Sequence, residues 1–369
     1  ACNPPNSSLT TFHDRNARHL PTTYSERSVT AFTKMGAAIS LPLLSAFALP
    51  AFTSYGTSVN LLFFTLNWYI LLLMHPPLQV ELIGVGLVQL LLYLLPAVIF
   101  LLFDTGVPSV AVQIKTHGEL ALAGRKGRNQ IVKIAAWSIF NVLLGAAVLG
   151  SVETLSERVL QVRTALNLSK TMPMPWKIAK SVALLLVIRG FLQYYIHRHV
   201  LHNPRFRYLS KAHATWQHSI PSPFSLIASY DHPICYLLHH WVPLYTPAFA
   251  LHVHILPFLL ALSVSCIEEL ITYSGYSIMP SGIILPGMAR RTDNHFLCRG
   301  DGNYAAFGAL DWVNGTSVGG DVADDMKAEW EKHGGQRSLG EAGNKAGGFI
   351  DGIGSQLSGK GGRKKKETR

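Results

Sequence analysis

Charge is what this 369-residue chain has least of: Asp, Glu, Lys and Arg make up 14% of it, against about 25% in soluble globular domains. That shortage, with 49% hydrophobic residues, excludes an ordinary water-soluble domain. Cysteine is scarce too. Cys2, Cys235, Cys266 and Cys298 are scattered and form no C-x-x-C pair, which excludes a disulfide framework and a zinc knuckle. Cys235 and Cys266 lie in apolar stretches and read as small core residues. The first 35 residues lack the basic start, short apolar core and small-residue cleavage site of a secretory signal peptide, so insertion is expected to rely on the first spanning helix. No internal repeat is visible, which argues against a transporter built from symmetric halves. Acidic residues are outnumbered by basic ones, 21 to 32, for a formal charge of +11. The basic residues sit in short loops between apolar runs rather than in one domain, so no nucleic-acid partner is expected.

What the chain does have is long apolar runs. Val59 to Met74, Leu82 to Phe103, Ile131 to Val152 and Val182 to Ile196 approach the roughly 20 residues of a bilayer crossing. Pro233 to Tyr273 is long enough for two passes but is interrupted by Pro243, Pro247 and Pro257, the pattern of a helical hairpin. Residues 37 to 52 are apolar but contain Pro42 and Pro50, and read as a partly embedded lead-in. The expected fold is an all-α integral membrane protein with about four transmembrane helices, a helical hairpin and a cytosolic, histidine-rich helical cap. Its parts would be a polar arm (1–35), membrane helices with a basic loop (36–184), a region enclosing the hairpin (185–318) and a tail (319–369). Within the tail, Ala323 to His333 suggests a solvated helix, and the closing Arg363-Lys364-Lys365-Lys366 run suggests a disordered basic end that can touch anionic headgroups.

Orientation follows from the loops. Lys115, Arg125, Lys126, Arg128 and Lys133 crowd one of them, whereas the turn from Leu73 to Gln79 has no Lys or Arg. The positive-inside rule makes the first loop cytosolic. Counting crossings then puts the N-terminus, the stretch after Ile196 and the C-terminus in the cytosol. Glu153 to Lys177 would be lumenal, with the Asn167-Leu168-Ser169 sequon open to glycosylation.

Ten of the sixteen histidines fall between His197 and His254, directly after a membrane helix. Neutral imidazole binds iron, zinc or copper through either ring nitrogen, so such a cluster at a membrane surface is a candidate metal site. His197, His199 and His202 prolong the polar end of the fourth run. On an α-helix His199 and His202 share a face, while His197 and His202 converge only near a helix end, so helix geometry alone leaves the ligand pair open.

The segments "HRHVLH", "KAHATWQHSIPSPFSLIASYDHP", "EELITYSGYSIMP" and "NHFLCRGDGNYAAFGALDWVNGTS" carry a resemblance. In this order they resemble the landmarks of the fatty acid hydroxylase and sterol desaturase superfamily, membrane histidine-box oxidoreductases of lipid biosynthesis. The resemblance implies an endoplasmic reticulum protein, multi-pass, holding one or two iron ions on its cytosolic side; zinc could occupy the site in a purified sample. It implies O2-dependent hydroxylation or desaturation of a sterol or fatty acyl lipid, with electrons from a donor such as cytochrome b5.

Carried over residue by residue, the first box is intact as His197 and His202. The second keeps His213, with Ser210 and Ala214 at its other histidine places. Tyr273 stands where a histidine precedes the "SGY" landmark. The third box keeps His295, between Thr292 and Phe296. His218, five residues after His213, is the expected compensating ligand, and Glu268, Glu269 and Tyr273 are expected at the catalytic centre. The two glutamates are open to two readings, iron ligands or ion-pair partners of Arg290 or Arg291. His199, His232, His239 and His240 are expected around the ligands rather than among them. Asn303-Tyr304 and Asp311-Trp312 are expected to fix the fold of the cap. The missing histidines leave a second functional class standing: a catalytically inactive relative that binds lipid or partners an active enzyme.

Overall fold

The computed structural model describes residues 55–161, 164–276, 285–320, 322–324 and 326–327. The polar arm, the apolar lead-in, most of the tail helix and the basic end lie outside these residues. Helices make up the described chain, and its two β-bridges are isolated pairs.

The chain divides into two compact units. The first, Ala1–Val80 with Leu168–Ile178, contains helix α1 (Tyr55–Met74). Within it the Trp68 indole N–H donates to the Ser169 carbonyl at 3.1 Å. The second unit, Glu81–Asn167 with Ala179–Arg369, contains the histidines.

Among the described residues, four helices are long and apolar enough to cross a membrane: α2 (Pro77–Gly106), α4 (Arg128–Val159), α5 (Pro175–Leu201) and α8 (Ile255–Thr272). A short helix, α3 (Pro108–Ile114), follows α2. Three of them answer to the expected runs from Leu82, Ile131 and Val182, and the fourth, α8, is the second arm of the expected hairpin. Over its described side chains α1 is a shorter apolar helix, Leu62–Met74. Leucines such as Leu87, Leu91, Leu95 and Leu102 on α2 are exposed, as a lipid-facing surface requires.

The spans are not regular α-helices throughout, and proline explains two of the departures. Pro96 has no N–H for the carbonyl four residues back, and a π turn, Leu90–Leu94, precedes it. Pro243 stands in the same relation to the π turn Leu237–Trp241, which carries His239 and His240. That turn joins Pro233–Tyr236 to Val242–Ala250, and the three pieces form α7, the first arm of the hairpin. The arm is fastened to α4 where the Trp241 indole donates to the Gly145 carbonyl at 3.0 Å. A Cβ on Gly145 would stand 3.3 Å from the Trp241 ring, a tight contact that glycine avoids.

Two backbone bridges fix the ends of the bundle. Asn167, after α4, exchanges hydrogen bonds with Val253 and Ile255 at the tip of the hairpin. Lys115, in the loop between α2 and α4, bridges Tyr276 beyond α8. The hairpin tip thus shares one end with the α4–α5 connection, and the basic loop shares the other with the chain beyond α8. The second end is held by a buried ion pair, Lys115 Nζ to Asp104 Oδ2 at 2.6 Å. Tyr276 also donates its hydroxyl to Asp104, and Lys115 donates to the Ser274 carbonyl. Burial lowers the Lys115 ammonium from its ordinary pKa, opposed by Asp104.

Removing one partner of such a pair leaves an uncompensated buried charge, which costs about 3–5 kcal/mol. Lys115→Met is therefore expected to lower the melting temperature of the detergent-solubilised protein, and Asp104→Asn added to it to restore part of the loss; equal melting of all three proteins would refute the pairing.

Candidate metal centre

Four imidazoles converge where α5 ends. His197 and His202 are five residues apart, about 140° apart on an α-helix at 100° per residue. The last turn of α5, His197–Leu201, is a π turn, closed by the His202 N–H donating to the His197 carbonyl at 3.0 Å. This wider turn brings both rings to one side, which an α-helical reading of the sequence does not provide. His213 comes from α6 (Arg207–Trp216). The helix then tightens into a 3₁₀ turn, Gln217–Ser219, and His218 folds back beside His213.

The four Nε2 atoms form a closed ring. His197 to His202 is 3.1 Å, His202 to His218 3.2 Å, His218 to His213 3.2 Å and His213 to His197 3.3 Å. Ligand atoms of the four residues all lie within 4.8 Å of one another. Neighbouring nitrogens bound to one ion at about 2.1 Å stand roughly 3.0–3.4 Å apart, so the ring has the dimensions of a coordination shell.

His295, on α9 (Leu285–Leu297), completes the group. Its ring centre is 4.7 Å from that of His197, 4.9 Å from His218 and 5.1 Å from His202, and its buried Nε2 has no hydrogen-bond partner.

The opposite ring nitrogens show which way the lone pairs point. His197 Nδ1 meets the Tyr304 carbonyl at 2.7 Å, His295 Nδ1 the Gly302 carbonyl at 2.7 Å, and His213 Nδ1 the Asp231 carboxylate at 2.6 Å. Carbonyls and carboxylates only accept, so each Nδ1 carries the proton and each neutral ring turns a bare Nε2 inward. Three inward lone pairs repel unless a cation stands between them, and acceptors behind metal-binding imidazoles are a regular feature of metal sites. Burial, then the neighbouring His213 and His295, pushes the His202 pKa down to about 2. Burial drives His218 well below its usual value for the same reason, and His295 down to about 4. Without a metal these rings stay neutral at physiological pH, the form that binds one.

The remaining expected residues take other positions. His199 is exposed and stacks on Tyr195, facing away from the cluster. His232 accepts from the Ile234 N–H at the start of α7 and lies 3.2 Å from the Tyr208 hydroxyl. His239 is buried against His197, ring centres 4.3 Å apart, while His240 Nδ1 lies 3.0 Å from Glu269 Oε1.

Glu268 and Glu269 differ from both readings of the sequence. Each meets Arg189 of α5, Glu268 Oε2 at 2.7 Å and Glu269 Oε1 at 2.9 Å, so their partner is neither the histidine ring nor Arg290 or Arg291. The reason is electrostatic. An arginine buried in a lipid-embedded helix requires anionic partners, and these two satisfy it. Both carboxylates still line a cavity together with His197, His295, Tyr273 and Thr292.

At the positions that depart from the box pattern, Phe296 packs against His218 and Tyr273 with ring centres 5.4 and 5.8 Å away. Ala214 is exposed on α6, away from the cluster.

Several residues at the centre escape a reading of the sequence. Asp231 is wholly buried, fixes the His213 ring, and accepts from the His232 N–H at 2.6 Å. Its adjacency to His232 in the "SYDHP" segment hid it, although a carboxylate in such a landmark is the expected kind of partner for a ligand histidine. The carbonyls of Gly302 and Tyr304 have no signature in side-chain chemistry. Asp311 positions the second of them by accepting from the Tyr304 and Ala305 N–H groups at 2.8 and 2.9 Å. Gly300, at φ +94, lies where a Cβ would run into the His202 ring.

Loss of an orienting partner lowers metal affinity about 10–100-fold. Asp231→Ala is expected to weaken metal binding by that much in competition with a chelator, and Gly300→Ala to displace His202 and do the same. Undiminished affinity in both variants would contradict the arrangement.

The motif resemblance and the convergent imidazoles meet in the comparison with known families. No solved structure matches the chain. Residues 182–316, which contain the ring of four imidazoles and His295, match the family model "Fatty acid hydroxylase". That match agrees with the fatty acid hydroxylase and sterol desaturase superfamily, whose landmarks the motifs of this region resemble.

Proposed function

We propose that the protein is a membrane-bound, O2-dependent lipid oxidoreductase, hydroxylating or desaturating a sterol or fatty acyl chain at a histidine-held non-haem iron. The observation that carries this reading is the ring of Nε2 atoms at the end of a membrane-spanning helix, with tautomers set so that lone pairs point inward. His197, His202, His213 and His218 would hold the metal, with His295 at its side. An all-imidazole set suits a redox-active first-row metal and has no thiolate that an oxidant would consume. Iron there would supply the redox chemistry by which O2 attacks an unactivated C–H bond.

The chain's own residues supply the rest. Tyr304, Gly302 and Asp231 hold the ligand rings against rotation. Arg189 balances Glu268 and Glu269, so that these carboxylates and Tyr273 form a charged and aromatic wall beside the histidines. The position at a membrane boundary lets a lipid tail reach the site from the bilayer while the packed cap restricts water.

The histidine cluster draws residues from both sides of the hairpin, and the basic loop shares its end of the bundle. By the positive-inside rule we assign that end to the cytosol, where a donor such as cytochrome b5 can deliver electrons, in the endoplasmic reticulum membrane.

Phe296 and Tyr273, packed where the family pattern places histidines, favour a second reading: a lipid-binding relative without turnover, acting beside an active enzyme.

Lipid analysis separates the two. Iron-loaded protein in liposomes, given a reductant and a lipid extract, is expected to produce an oxidised lipid containing 18O from labelled O2, or a desaturated one that forms only with O2. His197→Ala and His213→Ala should each lower turnover at least a hundredfold. Full iron occupancy with no O2-dependent product from sterol or acyl lipids would establish the second reading.

A further inference from the structure

Behind the Arg189–glutamate wall, inside the lipid-embedded bundle, lies a second cavity, and its chemistry is unlike that of a lipid slot. Gln89 of α2, His240 and Tyr245 of α7 and Ser265 of α8 line it, together with Glu269. Four buried polar atoms here have no hydrogen-bond partner: Gln89 Oε1, His240 Nε2, the Tyr245 hydroxyl and Ser265 Oγ. Their residues are only 8%, 8%, 2% and 3% exposed, so outside solvent does not satisfy them. An unpaired buried polar group costs about 1–3 kcal/mol, and four around one cavity on three separate helices is a large penalty in the hydrocarbon region.

Their chemistry specifies the occupant. Gln89 Oε1 accepts only, and the two hydroxyls donate or accept. His240 Nδ1 is 3.0 Å from a Glu269 carboxylate oxygen, so Nδ1 carries the proton and Nε2 accepts. A ligand serving all four must both donate and accept in several directions while remaining neutral. The space between the side chains admits small molecules and no acyl chain. Water meets these requirements, since buried waters make about three hydrogen bonds each to groups that are otherwise unsatisfied.

Glu269 gives the cavity its second property. It lines both this cavity and the one beside the histidines, and its Oε1 accepts from both His240 Nδ1 and Arg189. Oxidation of a lipid C–H to an alcohol takes one O2, two electrons from a one-electron carrier and two protons, and releases one water. A site walled off from solvent therefore needs a path for protons.

We propose that the cavity is a bound-water chamber and that protons pass from its water through His240 and Glu269 to the histidine cavity. The proton path rests on the oxidoreductase reading, whereas the water chamber does not.

X-ray radiolytic labelling tests the chamber without turnover, because hydroxyl radicals formed from bound water modify the side chains beside it. Tyr93, Tyr236 and Tyr245, which all line the cavity, are expected to be labelled in the protein despite their burial, with oxygen from H2 18O entering only after slow exchange. In Tyr245→Phe/Ser265→Ala, which removes two hydroxyls and keeps the side-chain frame, labelling of Tyr93 and Tyr236 should fall several-fold. Unlabelled tyrosines in the native protein would show a dry cavity and overturn the proposal.

The path is tested in the same variant at equal iron content. Lipid oxidation is expected to fall at least tenfold, and unchanged oxidation in a variant that has lost its labelling would overturn the path. A native protein that oxidises no lipid but labels as expected would instead remove the oxidoreductase reading and leave the chamber in place.

Discussion

Bare imidazole nitrogens crowded into one buried site are an electrostatic problem that the protein has gone to some length to create. His197, His213 and His295 come from three elements, and each has its far nitrogen tied to an acceptor that fixes the tautomer. The acceptors are themselves held: Asp311 clamps the backbone at Tyr304, and Asn141 donates to the Asp231 carbonyl at 2.8 Å. The packing of α6 and α9 beside the end of α5 can be understood as the means of keeping these lone pairs together. A cation relieves their repulsion, which couples metal binding to the stability of that packing.

The same logic of compensated charge governs the lipid-embedded part. Arg189, Glu268 and Glu269 would be prohibitive singly, and together they form a buried unit next to the histidines. Because His202 and His295 share one site, the chain between them must return to the side from which it left. The hairpin of α7 and α8 accomplishes this, and the Asn167 bridge fixes its tip at the far end. A broken first arm, with prolines and a π turn, is tolerated where neighbouring helices re-satisfy its backbone.

Much of this was legible in the sequence, for definite physical reasons. Apolar runs near the length of a bilayer report spans directly, and the clustering of histidines after α5 marked the site. His218 stands five residues after His213, a spacing short enough for the local chain reversal that brings the two rings together. What stayed hidden depends on backbone geometry. The pairing of His197 with His202 comes from the motif resemblance alone, because the π turn it needs leaves no pattern in side-chain periodicity. Carbonyl acceptors such as Gly302 and Tyr304 are invisible in principle. Glu268 and Glu269 read equally well as iron ligands or as partners of Arg290 or Arg291, whereas their partner lies some eighty positions earlier, on α5. The run from Pro233 to Tyr273 reads as two passes by hydropathy, whereas its first arm, α7, is made of three short pieces, since hydropathy measures composition and not continuity.

The central claim is that imidazoles from separate segments hold one metal centre. X-ray absorption at the metal edge of purified, iron-supplemented protein tests it most directly. The account predicts a first shell of nitrogen with the outer-shell scattering of imidazole rings, in a number matching the four-histidine cluster with or without His295, and its loss in His213→Ala. A protein that retains no metal, or a shell of oxygen without imidazole scattering, would contradict it.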